Sequence, residues 1–549
     1  MAAEECPAGD RASARTGVLL LVDQVAWLYH EKEATRQECN LLEVIGGLLD
    51  AFPPSQLNVM VTTVDTRYTA RLATSMTQKR NVVYAPLSPL PQEVGEAALL
   101  AAWHTKLRSS GSGAEALPTA LPYFMCMAVN DACGHPYTLQ DVKYVWLGDD
   151  SRTNASDEES KQLAAAVDAA HQAAAAADAA LRAARLSGTS RAIAAARDAT
   201  TVSYKLQALA LEQLRKLVCC GRLVDKAHLA AALAGRALPL DEALPCADQW
   251  SNQTLRQRIT KGDDTNAMPD GATAAVIPRV TMYETLSYAG IGSGDQNIKA
   301  MADCGLDPEG WADAFKAFMT AWLRVAISLR AWVGTPTSLA WLWHVDLDGV
   351  TADSPLAATL ALSEKEMLYR YEFSSSKVRS VDDGSHGGCD IEVVLPTATG
   401  RLVVMVVGIG YSSLSHSVAE VRRKLAAMKT DAAGMVAAAA AANRVPPAAI
   451  DVAYVLIAAS GPLAVPRGIY VPPHGADWTR DQLSQFMGAA SAGAAAETTG
   501  KVPLSAADAG AFAAALLKHE HTILVDGARL DAVLSPSLAA RGRFLLELS

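Results

Sequence analysis

A chain of 549 residues that is half apolar and holds ten Trp can bury several cores, each of about 100–200 residues. Its net charge of −10 excludes a global pull toward nucleic acid or anionic membrane, so any such contact must come from a local basic patch. Nine Cys, an odd number without CxxC spacing, exclude a zinc ribbon and a disulfide framework and favour a reducing compartment.

The N-terminal stretch MAAEECPAGD is acidic and polar, unlike a signal peptide, and no apolar run approaches the roughly 20 residues of a membrane span. The chain is therefore expected to be soluble and intracellular, in nucleus or cytoplasm, without a membrane partner. Residues 17–150 read as α/β. Apolar runs at 18–22, 57–64 and 81–87 are strand-like, and they alternate with helical segments near 36–51 and 92–108. Residues 151–250 are Ala-rich and helical by propensity, and read as a solvated helical hairpin, with a partner-binding coiled coil as the alternative. The polar, Gly- and Pro-containing stretch over 251–308 reads as a linker.

Residues 309–333 carry apolar side chains at helix spacing, and 359–372 read as a further helix. Two strands follow, DIEVVLP (390–396) and RLVVMVVGIGYSS (401–413), separated by the hairpin-like turn TATG. An amphipathic helix (415–429) and a buried strand (451–460) complete this block, and the tail from 476 to 549 mixes helices with the strand HTILVDG. The fold expected is α/β: a parallel sheet, an Ala-rich helical middle over 151–250, then an α/β core over 309–475.

Chemistry-bearing residues cluster in two places. Asp23 follows the apolar strand VLLLV, and Thr63 follows the neighbouring run NVMVT; an acid at such a strand tip can orient hydrated Mg²⁺, and a polar residue beside it can sense a γ-phosphate. No GxxxxGK[ST] phosphate cradle accompanies them. Further on, Asp390 and Glu392 stand two apart on a strand, so both carboxylates share one face. With Glu372 or Glu364 from the preceding segment they form a carboxylate set that could take Mg²⁺, the one cofactor considered; rim charges are the alternative. The run VRRKLAAMK brings Arg422, Arg423, Lys424 and Lys429 onto one helix, as a phosphate-contacting patch or a solvated face. HEH (519–521) offers a histidine pair without a third ligand and reads as a solvated loop.

The stretch LPYFMCMAVNDACGHPYTLQDV (121–142), preceded by APLSPLP, resembles the lid region of the NTPase module in the Crinkler and retrotransposon-hot-spot family, whose signature is GGHPR. Gly134, His135 and Pro136 match it, and Tyr137 stands where the family has Arg. The resemblance implies a partial P-loop NTPase-like domain over 17–150, with His135 beside Asp23 and Thr63 at the nucleotide, and a restriction-endonuclease-like domain over 309–475. In that second module Asp390 takes the place of the metal-binding Asp. The acid and Lys of the next strand fall on Gly408 and Gly410. Both sites thus lack the charges that phosphate chemistry needs. The resemblance implies a non-catalytic, effector-like interaction protein whose partner is another protein or nucleic acid. The alternatives are an Mg²⁺-dependent nuclease with Lys424 or Lys377 supplying the ammonium, or an unrelated α/β scaffold.

Overall fold

In the computed structural model, the chain divides into two compact units, residues 1–88 with 237–273, and residues 89–236 with 274–549. The structure describes residues 18–22, 57–61, 90–109, 117–148, 157–219, 229, 237–238, 255–258, 273–288, 295–306, 311–333, 337–345, 353–362, 378–380, 389–410, 417–458, 463–472, 478–495 and 500–548. Mixed α/β describes it, with mostly helical content and a small mixed sheet. Among the described residues no helix is long and apolar enough to cross a membrane.

In the first unit, β1 (Val18–Val22) and β2 (Leu57–Val61) pair in parallel, with Val18 opposite Leu57 and Val22 opposite Val61. Asp23 and Thr63 follow the carboxyl ends of these strands in sequence and lie outside the described residues.

The second unit begins with α1 (Gln92–Ser109), α2 (Tyr123–Asp131) and α3 (Pro136–Leu147). The Ala-rich section is a helical hairpin of α4 (Asp157–Ser187) and α5 (Ser190–Cys219), turned at Gly188. Its seam follows a seven-residue repeat. Leu163, Ala170, Ala177 and Ala184 are buried on α4, and Ala196, Ser203 and Ala210 on α5. Leu163, Ala170, Ala210, Leu211 and Leu214 join a core with Phe124, Met125 and Met127. Ala177, Ala184 and Ala196 are buried, whereas the other described residues of that half of the hairpin are exposed or half-buried. Small side chains let the two helices approach closely there.

The stretch read as a linker over 251–308 instead contains α6 (Arg279–Tyr288) and α7 (Asp295–Asp303). Met282, Leu286 and Met301 are fully buried on them, so helix spacing of a few apolar residues outweighs the polar composition. α8 (Trp311–Val333) follows as read from its spacing. Residues 359–360, expected to open a helix, form a short strand against 337–338, and 363–372 lie outside the described residues.

The sheet has five strands: β3 (Val378–Ser380), β4 (Ile391–Pro396), β5 (Leu402–Ile409), β6 (Ile450–Ala458) and β7 (Thr522–Asp526). Their order is β7-β6-β5-β4-β3. β3, β4 and β5 form an antiparallel meander, whereas β5, β6 and β7 run parallel. The predicted TATG turn joins β4 to β5, with Gly400 at φ 79° in the left-handed region that glycine tolerates. A parallel step from β5 to β6 needs a crossover, and α9 (Val418–Asn443) supplies it. Val418, Val421, Leu425, Met428, Ala432, Met435 and Ala439 form its buried stripe, so the helix runs on through the Ala-rich stretch to Asn443. α10 (Arg480–Ala495), α11 (Ala506–Glu520) and α12 (Gly527–Leu548) complete the unit.

A capping box starts α9. Ser417 Oγ accepts the Glu420 N–H at 3.2 Å, and Glu420 Oε2 accepts the Ser417 N–H at 2.7 Å. Ser417→Ala should cost about 0.5–2 kcal/mol. Thermal unfolding would register it as a small drop, and an unchanged midpoint would show that the cap is dispensable.

Candidate functional site

Asp390 stands just before β4, at the end of the β4–β5 hairpin opposite the TATG turn. Its N–H donates to the Val407 carbonyl at 2.8 Å, so the ladder fixes its backbone. Its Oδ2 accepts the Ile409 N–H at 2.6 Å and the Lys424 ammonium at 2.9 Å. β5 and β6 both end here, where the Gly410 N–H donates to the Ile457 carbonyl at 2.8 Å. The carboxyl ends of parallel strands are where open α/β sheets place their ligands. Lys424 reaches the site from the second turn of α9, and the pair is partly open to solvent, 24% for Lys424 and 18% for Asp390.

Glu392 shares the strand face but lies further inside the sheet, only 7% exposed, opposite Val406 on β5 and Arg379 on β3. Gly408, opposite Leu456, is buried in β5. Asp431 of α9 approaches from the helix side, where its Oδ2 accepts the Cys389 N–H at 3.1 Å. Burial, with the carboxylates of Asp390, Glu392 and Asp431 adding to it, pushes the Cys389 thiol up to about 12. This thiol therefore stays protonated at neutral pH and is no nucleophile. Glu372, Glu364 and Lys377 lie outside the described residues. Among the described residues no group of three His, Cys, Asp or Glu side chains is placed to hold a metal ion.

The four basic residues of α9 do not share a face. Arg422 and Lys429, seven apart, both turn toward α10 and α11. There the Arg422 guanidinium meets the Met487 carbonyl at 3.4 Å and Lys429 pairs with Glu520. Lys424 turns to Asp390, and Arg423 is exposed. At 3.6 residues per turn, nearest neighbours in sequence point apart, which divides the expected patch.

The HEH stretch is the end of α11 rather than a loop. His519 Nε2 bonds the Trp478 carbonyl at 2.7 Å, and His521, at φ 48°, places Nδ1 3.2 Å from Ser354 Oγ. Helix geometry and these partners use both rings for packing.

His135 is 2% exposed and caps α3, its Nδ1 accepting the Thr138 N–H at 3.2 Å. Pro136 opens the same helix, a position where its missing N–H costs nothing. Gly134 stands at φ 67° with its carbonyl accepting the Leu90 N–H at 2.9 Å. The GHP motif thus serves as a turn and a helix start.

Just before that motif lies a buried charge cluster that no sequence motif announces. Asp131 Oδ2 accepts Arg215 Nη2 at 2.6 Å and Nε at 2.9 Å. Arg215 Nη1 reaches Asp303 at 3.1 Å. Arg279 donates to Asn130 Oδ1 at 2.6 Å and lies 3.5 Å from Asp131 Oδ1. Arg541 donates to the carbonyls of Ala302 at 2.9 Å and Cys304 at 2.7 Å. The cluster joins α2, α5, α6, α7 and α12. A pocket of about 380 Å³ lies elsewhere, among α1, α3, α4 and α5, walled by Trp103, Trp146, Val167 and His171. No family model, no curated protein and no solved structure matches the chain.

Proposed function

We propose that this chain is a non-catalytic, nucleic-acid-associated interaction protein built on the core of an NTPase–nuclease. The strand order supports the ancestry, because a three-stranded meander, a crossover helix and a parallel fourth strand follow one another as in restriction-endonuclease-like cores. One observation carries the loss of catalysis: Asp390 Oδ2 is held by Lys424 and by the Ile409 N–H, while β5 offers Gly408 and no acid beside it. Metal-dependent phosphodiester hydrolysis needs oxygens arranged around the metal and a deprotonated water. The residues fit Mg²⁺ poorly. That ion demands near-octahedral oxygen coordination, whereas Asp390 is neutralised by an ammonium and Glu392 is buried in the sheet.

A second reading, a nuclease with a rearranged site, is favoured by the same 2.9 Å approach, since an ammonium from α9 then replaces the one missing from β5. Incubating the full chain with plasmid DNA and Mg²⁺ or Mn²⁺ separates the two. The expected result is intact plasmid. Nicking that disappears in both Asp390→Ala and Lys424→Ala would install the second reading in place of the first.

A further inference from the structure

The distal end of the α4–α5 hairpin stands out electrostatically. Between residues 179 and 197 the chain carries Arg182, Arg185, Arg191 and Arg197 and no Asp or Glu, although its net charge is −10. All four arginines are exposed. Among the described residues none of them has an ion-pair or hydrogen-bond partner, whereas at the hairpin's base Arg215 is paired with Asp131 and Asp303, and Lys216 and Lys299 with Glu212. Among the described residues the four tip arginines have no such pair, and exposed Asp178 and Asp198 bound the stretch on either side. All four Cα atoms lie within nine residues of Gly188, about 14 Å along the helices. The two helices place all four at the same end of the hairpin, above the buried seam of Ala177, Ala184 and Ala196.

We infer that this tip is a docking site for the phosphate backbone of nucleic acid. The inference rests on the proposed association with nucleic acid and gives it a location away from Asp390. All four cations are Arg and none is Lys, and a guanidinium fork matches phosphate oxygens two at a time. Phosphate takes such cations whatever the base, so the proposed contact is to the backbone and indifferent to sequence. Leu186, 90% exposed, and Ile193, 55% exposed, flank the arginines. An anionic membrane surface is the competing partner for such a tip. Two aliphatic side chains, however, bury less apolar surface than a single myristoyl chain, which itself binds membranes only marginally.

Salt dependence tests the assignment. Each phosphate contact contributes about −0.9 to the slope of log K against log salt, so four give about −3.6 on duplex DNA. With a labelled short duplex and the full chain, the variant R182A/R185A/R191A/R197A should bind at least about tenfold more weakly at low salt and lose most of that slope. Ala favours helix, so circular dichroism should show the hairpin intact. Arg423→Ala should leave both quantities unchanged. A quadruple variant that binds DNA with wild-type affinity and slope overturns the tip as the site and leaves the broader nucleic-acid reading standing. A wild-type chain that binds neither duplex nor single strand overturns both. Sedimentation with phosphatidylserine vesicles, without any binding to DNA, assigns the tip to a membrane and overturns the inference as well.

Discussion

Asp131→Asn should destabilise the second unit by about 3–5 kcal/mol, because it removes the carboxylate shared by Arg215 and Arg279 in a buried ionic network. Arg279 and Arg541 are fully buried, and the side chain of Arg215 is 14% exposed. With Asp131 neutral, Asp303, 36% exposed at the edge, still pairs with Arg215 at 3.1 Å. Asn keeps the shape, so packing loss does not confuse the result. The same carboxylate sets a pH dependence. Burial alone would raise its pKa, but Arg215, Arg541 and Arg279 outweigh that and hold the carboxyl below its ordinary range. A group whose folded pKa is depressed stabilises above its unfolded value, near pH 4, and loses that contribution as pH falls through the folded value. The wild-type unfolding midpoint should therefore fall below about pH 4, where Asp131→Asn has nothing comparable to lose. The double variant D131N/R215M should recover part of the loss, since an apolar side chain can replace a buried ion pair at little cost. A single variant that melts within a degree or so of wild type would show that the arginines do not depend on this charge.

What could be read from the sequence follows from how local each signal is. The runs VLLLV and VVMVV both became strands, and in VVMVV the continuous apolar stretch suits a strand buried on both faces. The TATG hairpin and the crossover helix were legible for the same reason, as was the α4–α5 hairpin, although its seven-residue seam of Leu163, Ala170, Ala177 and Ala184 emerges only once two facing helices select it. Non-local chemistry was not legible. Asp131, Arg215, Arg279 and Arg541 come from four distant segments, and nothing in their spacing announces a cluster. Two near-misses have physical causes. VRRKLAAMK reads as one basic patch along the chain, but helical rotation sends Lys424 and Lys429 to different neighbours. Lys424 was legible as a lysine supplied from outside β5, and its meeting with Asp390 needed the crossover to bring α9 over the end of the sheet.

Gly134→Ala should cost about 2–5 kcal/mol, the sum of about 1–2 for a left-handed backbone and about 1–3 for overpacking. At φ 67° a side chain is strained whatever the space. The space is absent as well: a Cβ would lie 2.2 Å from the Leu90 carbonyl oxygen and 2.6 Å from its nitrogen. Both are backbone atoms and cannot rotate away, so the segment leading into α1 must move and the Leu90–Gly134 hydrogen bond must stretch or break. Gly400→Ala is the control. It has a comparable φ of 79° with no atom within 4 Å, so it should lose only the backbone part, about 1–2 kcal/mol. Hydrogen exchange should locate the extra loss at the Leu90 amide and the first turn of α1, and thermal unfolding should rank Gly134→Ala below Gly400→Ala. Equal midpoints would mean that the close approach of Leu90 does not require glycine, and the GHP motif would then need a reason beyond the turn and the helix start it builds.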